Sequence, residues 1–160
     1  MRTRLPLRQA RLLALALALA LLAAVTAPAG AADGKAVYDA HCAACHQPDG
    51  AGALGLAPPL AGTLGKRMAF PEGRKYLPGI VISGLAGRME SKGVLYEGIM
   101  PSWQQLSDAE LAAVLNHVLT HFNAAELPAG FTPIEADELA APRAKKPTSK
   151  ELRAWRAASQ

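Results

Sequence analysis

Cysteine is nearly absent from this chain: Cys42 and Cys45 are the only two among 160 residues. Two thiols cannot staple a disulfide-rich fold, and a structural zinc site would need two further Cys or His ligands at suitable spacing, which the neighbouring sequence does not offer. A redox dithiol would call for a βαβ pattern around the pair, and none is readable. Aromatic residues are also scarce, at 5% of the chain, which leaves little bulk for a core of side chains alone. There is no internal repeat. A basic surplus is missing too, once the charges are located. The 17 Lys and Arg exceed the 13 Asp and Glu, but Arg2, Arg4, Arg8 and Arg11 all lie in the first 32 residues, leaving thirteen of each sign beyond. That balance excludes the footprint of a nucleic-acid binder.

What the first 32 residues hold is a basic segment, an unbroken apolar run from Leu12 to Val25, and a crowd of small residues from Ala27 to Ala32. This is the pattern of a cleavable secretory signal, with cleavage after Ala29, Ala31 or Ala32. The other reading is an uncleaved membrane anchor, but the apolar run is shorter than the ~20 residues that span a bilayer. The expectation is export to the periplasm, with no stable membrane insertion after cleavage. The remainder suits one small domain, over residues 33–123, with a C-terminal extension, 124–160, partly helical or disordered.

The two cysteines stand in Cys42-Ala43-Ala44-Cys45-His46, and C-x-x-C-H is the pattern of covalent c-type haem attachment. Thiols three residues apart share one side of a helical turn and can each form a thioether to a haem vinyl group, which leaves His46 to bind the iron. A large apolar macrocycle would also make up for the shortage of aromatics by acting as the centre of packing.

Around this motif the sequence reads as helices and loops. Gly34 to Cys45 is expected to be the first helix, ended by the turn Gln47-Pro48-Asp49-Gly50. Ala51 to Gly65 is a Gly- and Pro-rich loop, suited to wrapping a flat ligand or equally a generic Ω-loop. Arg74 to Leu85 is expected to be a short helix with Pro78 in its first turn and an inner face of Leu77, Ile80, Val81 and Leu85. A strand over Ile80-Val81-Ile82 is the alternative there, though no partner strand is evident. Ser107 to Phe122 is the clearest helix: Ser107 to Glu110 is a capping box, and Leu111, Val114, Leu115, Val118 and Phe122 form an apolar stripe. Weaker boxes occur at Thr132 to Glu135 and Thr148 to Glu151.

This order of elements resembles the class I c-type cytochromes over about Gly34 to Phe122. The resemblance rests on C-x-x-C-H, the loop Ala57-Pro58-Pro59-Leu60, and Tyr96-Glu97-Gly98-Ile99-Met100-Pro101-Ser102-Trp103 before the last helix. It implies an all-α fold, the cytochrome c fold, with three to five short helices around one haem c. It further implies His46 and Met100 as axial iron ligands and the Pro58 carbonyl as acceptor for the second ring nitrogen of His46, although an ordinary Pro-Pro turn is the plainer reading of that loop. Gly55, Leu60, Ile80, Leu85, Pro101 and Trp103 would support the haem pocket. A thioether is a soft donor that favours Fe(II), so His/Met ligation fits an electron carrier independently of the resemblance.

The remaining candidates have plainer readings. Met68 and Met89 read as gap fillers, and His41 as a solvent-facing residue. His117 and His121 stand four apart on the last helix, a spacing that suits a metal but also a helix C-terminus. In the extension, Ser149 to Ala158 should form an amphipathic turn or two carrying Leu152 and Trp155. Its basic surroundings make Trp155 a candidate hot spot for an acidic partner, in a tail that either docks a partner or folds back on the haem domain. The expected function is a periplasmic single-electron carrier, not an enzyme, working between a dehydrogenase donor and an oxidase or other cytochrome. A fixed electron-transfer subunit of a periplasmic dehydrogenase or oxidase complex is the alternative, and a haem-based ligand sensor or peroxidase a more distant one.

Overall fold

Asp33 opens the first helix as its N-cap, its carboxylate accepting from the amides of Lys35 and Ala36 at 2.9 and 3.2 Å. A computed structural model describes residues 32–160, so the expected leader, apart from Ala32, lies outside the described residues. Helix α1 spans Gly34–His41 and α2 Ala43–His46, so the single helix expected here is two, separated at Cys42. A 3-10 turn at Gly65–Ala69 leads to α3, Pro71–Ser83. Strands β1, Leu85–Ser91, and β2, Val94–Met100, come next, and then α4, Asp108–Phe122. Beyond a 3-10 turn at Ala136–Leu139 come α5, Ala140–Ala144, and α6, Ser149–Ala158. Among the described residues no helix is long and apolar enough to cross a membrane.

The frame of the fold is α1 crossing α4. Gly34 makes the crossing close, because a Cβ there would stand 2.1 Å from the Ala113 carbonyl oxygen. Tyr38, one turn on, is fully buried against Val114 and Val118 and donates its hydroxyl to the Gln47 carbonyl at 2.7 Å. Burial raises its phenol to about 12, so it remains a donor at any ordinary pH. The capping box on α4 forms as expected, with Ser107 Oγ accepting from the Glu110 amide and the Glu110 carboxylate accepting from the Ser107 amide. At the other end Asn123 is fully buried, and its side-chain oxygen accepts from the amides of Thr63, Leu64 and Gly65.

Helix α3 begins a turn earlier than its sequence suggested. Pro71 takes the first helical position, where its missing N–H costs nothing, and this puts Pro78 in the helix interior and not in the first turn. Ile80, Val81 and Ile82 are helical, which removes the strand alternative. The hairpin after it was not expected. β1 and β2 pair antiparallel from Leu85 opposite Met100 to Ser91 opposite Val94, and Lys92 and Gly93 turn the chain with φ of 50° and 73°. Two positive φ values mark a type I′ turn, whose usual sequence signal is Asn-Gly or Asp-Gly. Helices still dominate, so the all-α expectation holds with one small sheet added.

The C-terminal residues are part of the core. Ile134, Leu139 and Leu152 are all but fully buried, in one cluster with Leu77, Ile82, Leu111 and Leu119. Gly79 admits α6 against α3, since a Cβ there would lie 3.1 Å from both Leu152 and Pro147. Trp155 packs partly buried at the same contact, so it is not the exposed anchor expected. Two basic residues of this segment are also engaged. Arg143 pairs with Asp108 at 2.6 Å and donates to the carbonyls of Gln104 and Leu106, while Arg153 donates to those of Ala86 and Arg88 on β1. The Thr148 capping box forms. The one expected at Thr132 is replaced by Glu135 with Glu138, one turn later, at the start of the 3-10 turn.

Leu152→Ala should therefore cost about 2–5 kcal/mol, the range for a buried leucine whose cavity cannot fully collapse. Denaturant unfolding of the purified protein measures it, and an unchanged midpoint would place α6 outside the cooperative core.

Candidate functional site

The site starts where α1 stops. The Cys42 amide donates to the Tyr38 carbonyl at 2.8 Å, and the amides of Cys45 and His46 both donate to the Cys42 carbonyl, at 3.2 and 2.9 Å. This tight turn sets both thiols and the imidazole on one short segment. The cysteines are free, Cys42 half-buried and Cys45 exposed. Burial, with a smaller contribution from Cys45, pushes the Cys42 thiol up to about 11. Redox dithiols need the opposite, a thiol lowered toward neutrality, so the dithiol reading has no support in this geometry.

His46 is held from the side. Its Nδ1 lies 2.9 Å from the Pro58 carbonyl oxygen. A carbonyl can only accept, so Nδ1 carries the proton and Nε2 keeps its lone pair for a metal. Burial lowers the imidazole below its ordinary value, against the opposing effect of that hydrogen bond, and so favours the neutral form that ligates. The loop that delivers Pro58 depends on Gly52, at φ 76°, where a Cβ would stand 2.5 Å from the Ala57 oxygen and 2.8 Å from that of Pro58. The Gly52 amide donates to the His46 carbonyl at 2.9 Å, which closes the loop on the haem-motif segment itself.

Met100 is reached through α3 and the hairpin. It is the last residue of β2, so the segment expected as a loop is a strand up to this point. The end of α3 holds the residues just beyond it: Ser102 Oγ donates to the Ile82 carbonyl at 2.5 Å, and the Trp103 amide to that of Val81 at 2.8 Å. These bonds occupy carbonyls that a helix C-terminus leaves without partners. Gly84, at φ 70°, allows the approach, since a Cβ there would lie 2.5 Å from the Met100 carbonyl oxygen.

These parts surround one apolar cavity with about 1310 Å³ of empty space, its open mouth included. Its walls are mainly apolar side chains, with a few polar groups converging on it, which suits a flat apolar macrocycle. Cys42, Cys45, His46 and Met100 line it together, as do Pro58, Leu60, Ile80, Leu85, Pro101 and Trp103. Gly55 does not line it. That residue stands at φ 76°, and its carbonyl accepts from the Glu97 amide at 3.0 Å, which ties the loop to β2. His41 is not solvent-facing: it lines the cavity with its ring 5.0 Å from that of Trp103. Met68 is buried core, whereas Met89 lines the cavity, as Met100 does. His117 and His121 stack at 5.1 Å, but no group of three possible metal ligands occurs among the described residues. Sequence reasoning also missed Tyr76 and Arg156 on the cavity wall. The i, i+3 and i+4 pattern gave Arg156 no distinction from any other basic residue of an exposed helix face.

A family model described as Cytochrome c matches residues 31–122. The chain belongs to the cytochrome c family. It is 46% identical over 125 residues to a cytochrome c-552 of Thermus thermophilus, covering 78% of this chain and 95% of that protein. It is equally identical to a second cytochrome c-552, from Thermus thermophilus strain ATCC 27634, with 84% of that protein covered. These matches support a class I c-type cytochrome whose cofactor is covalently attached haem c, and Cys42 and Cys45 fit its attachment motif. The residues fit the group: two free thiols, a neutral imidazole with a fixed tautomer and two thioethers meet in one apolar space.

Gly52→Ala in this cytochrome should displace the Pro58 carbonyl and cost about 1–3 kcal/mol, the range for a strained backbone position. The checks are a lowered thermal midpoint and a moved His46 Nδ1 proton resonance. A variant with wild-type values in both would mean that the loop does not set the histidine.

Proposed function

We propose that this cytochrome is an exported single-electron carrier in which Cys42 and Cys45 hold the porphyrin by thioethers and His46 and Met100 bind the iron. The observation that carries the reading is the convergence of His46, with its Nδ1 committed to Pro58, and the Met100 strand end on the same apolar cavity. Bound haem supplies a one-electron Fe(III)/Fe(II) couple. The chain's own contribution would be to hold that couple in apolar surroundings and to bind the iron through His46 and Met100, which would leave no iron position open to substrate or dioxygen. The thioether favours the reduced state relative to a second imidazole. The leader supports export, and residues 33–123 are the haem domain, which the segment 124–160 braces from behind. Partners are periplasmic redox proteins, met by the exposed side chains of Leu56 and Ile99 at the cavity rim.

Met100→Ala should keep covalent haem, lose the methionine-to-iron charge-transfer band of the oxidised protein, and bind carbon monoxide rapidly when reduced. Met89→Ala should behave as wild type. Loss of the band in M89A and its retention in M100A would move the ligand to Met89. Rapid carbon monoxide binding by the wild type would replace the carrier reading by that of a ligand sensor. The mass of the protein from the periplasmic fraction should match a chain cut near residue 32 plus one haem; an intact leader there would overturn the export signal.

A further inference from the structure

Two histidines stand outside the haem cavity and have no part in the carrier reading. His117 and His121 are one turn apart on α4, His117 half-buried and His121 exposed. Their rings lie 5.1 Å apart, centre to centre, and 15° from parallel. Aromatic neighbours set that orientation. The Phe122 ring meets both edge-on, at 5.4 and 5.2 Å, and the Tyr38 ring of α1 lies 5.6 Å from that of His117. Gly34 brings α1 close on the same side, since a Cβ there would stand 3.0 Å from that of His117. Among the described residues the ring of His46 is the only imidazole in a hydrogen bond, and no histidine is in a salt bridge. A histidine near a helix C-terminus is favoured as a cation, but two cations at this spacing repel. Burial first, and then the charges of His121 and Lys35, hold His117 below its ordinary value, with Asp39 and Asp33 opposing. A neutral ring keeps a nitrogen lone pair free.

We propose that His117 and His121 form a chelating site for a late first-row divalent cation, Zn(II) or Cu(II), whose coordination water completes. Two imidazoles four residues apart on one helix face are a donor pair for such metals, and among them Cu(II) is held more tightly than Zn(II). With metal–nitrogen bonds of about 2.0–2.1 Å, the two ligating nitrogens sit about 3 Å apart. Rings with centres 5.1 Å apart reach that by tilting toward each other, with the helix unchanged. Two protein donors make a weaker site than the three or four of catalytic and structural zinc. A cation there clips the last turn of α4 and meets the partial negative charge of the helix C-terminus. That turn carries Phe122, which lies against Gly50, where a Cβ would be 3.0 Å from its ring. It leads directly into Asn123, whose side chain holds the amides of Thr63, Leu64 and Gly65. Metal binding then tightens the anchor of the loop that follows the C-x-x-C-H segment.

Calorimetric titration of the chelator-treated holoprotein with zinc chloride should show one equivalent bound. His121→Ala should weaken that binding about 10²-fold, the loss expected when a bidentate site becomes a single imidazole, and His117→Gln should do the same. The haem absorption spectrum of H121A should be that of wild type, since the position is exposed and away from the cavity. In nitrogen-15 spectra of the reduced holoprotein, zinc should shift the ring nitrogens of His117 and His121 and leave those of His41 and His46 in place. Zinc should also raise the thermal midpoint of wild type and leave that of H121A where it was, because a ligand stabilises only the fold that binds it. Zinc bound equally by wild type, H121A and H117Q, ring-nitrogen shifts confined to His41 or His46, or no binding at millimolar zinc would overturn the proposal.

Discussion

The hydrogen bond from His46 Nδ1 to the Pro58 carbonyl is the constraint on which the rest of the site depends. It joins two segments twelve residues apart, and the glycines between them serve it. Gly50, at φ 72°, accepts at its carbonyl from the amides of Leu60 and Ala61, which turns the loop back on itself. Gly52 lets the carbonyl-bearing strand of that loop lie in van der Waals contact with its start. The same loop then reaches the hairpin, where Gly98 accommodates the Leu56 carbonyl 2.4 Å from where a Cβ would be. The histidine side and the methionine side are thus linked through backbone contacts at which side chains would not fit.

The second half of the site hangs on the C-terminal end of α3. That helix ends at Gly84, and its last carbonyls take donors from Ser102 and Trp103, so the strand end carrying Met100 is fixed by the helix that lines the cavity. Behind α3, α6 packs through Gly79 and Leu152, and Arg153 fastens it to the carbonyls of β1. The consequence is that the segment beyond the family match at residue 122 stiffens the element that positions Met100. Such a brace suits a carrier, since a site that changes little between oxidation states costs little reorganisation.

What was legible in the sequence was what local chemistry dictates. C-x-x-C-H, the capping boxes at Ser107 and Thr148, and the 3.6-residue stripe of α4 each depend on neighbours a few positions away. The hairpin was not, because Gly87 and Gly98 and the charges at Arg88, Glu90 and Glu97 break the alternation of a strand, and Lys92-Gly93 is a weak turn signal. Its stability comes from the loop and α6 that dock on it. Pro78 misled for a related reason: propensity places proline in a first turn, but the burial of Leu77, Ile80 and Val81 around it outweighs the lost hydrogen bond. The burial of Trp155 against Gly79 and the bond that Arg67 makes to the Arg156 carbonyl join residues far apart in sequence, and no local pattern encodes them.

The central claim is that one histidine nitrogen and one methionine sulfur complete the coordination of a haem held on this chain. X-ray absorption at the iron edge of the purified protein tests it without mutation. The account predicts, in both oxidation states, six-coordinate iron with five nitrogen scatterers and a single sulfur. Iron with no sulfur neighbour, or five-coordinate iron, would contradict it.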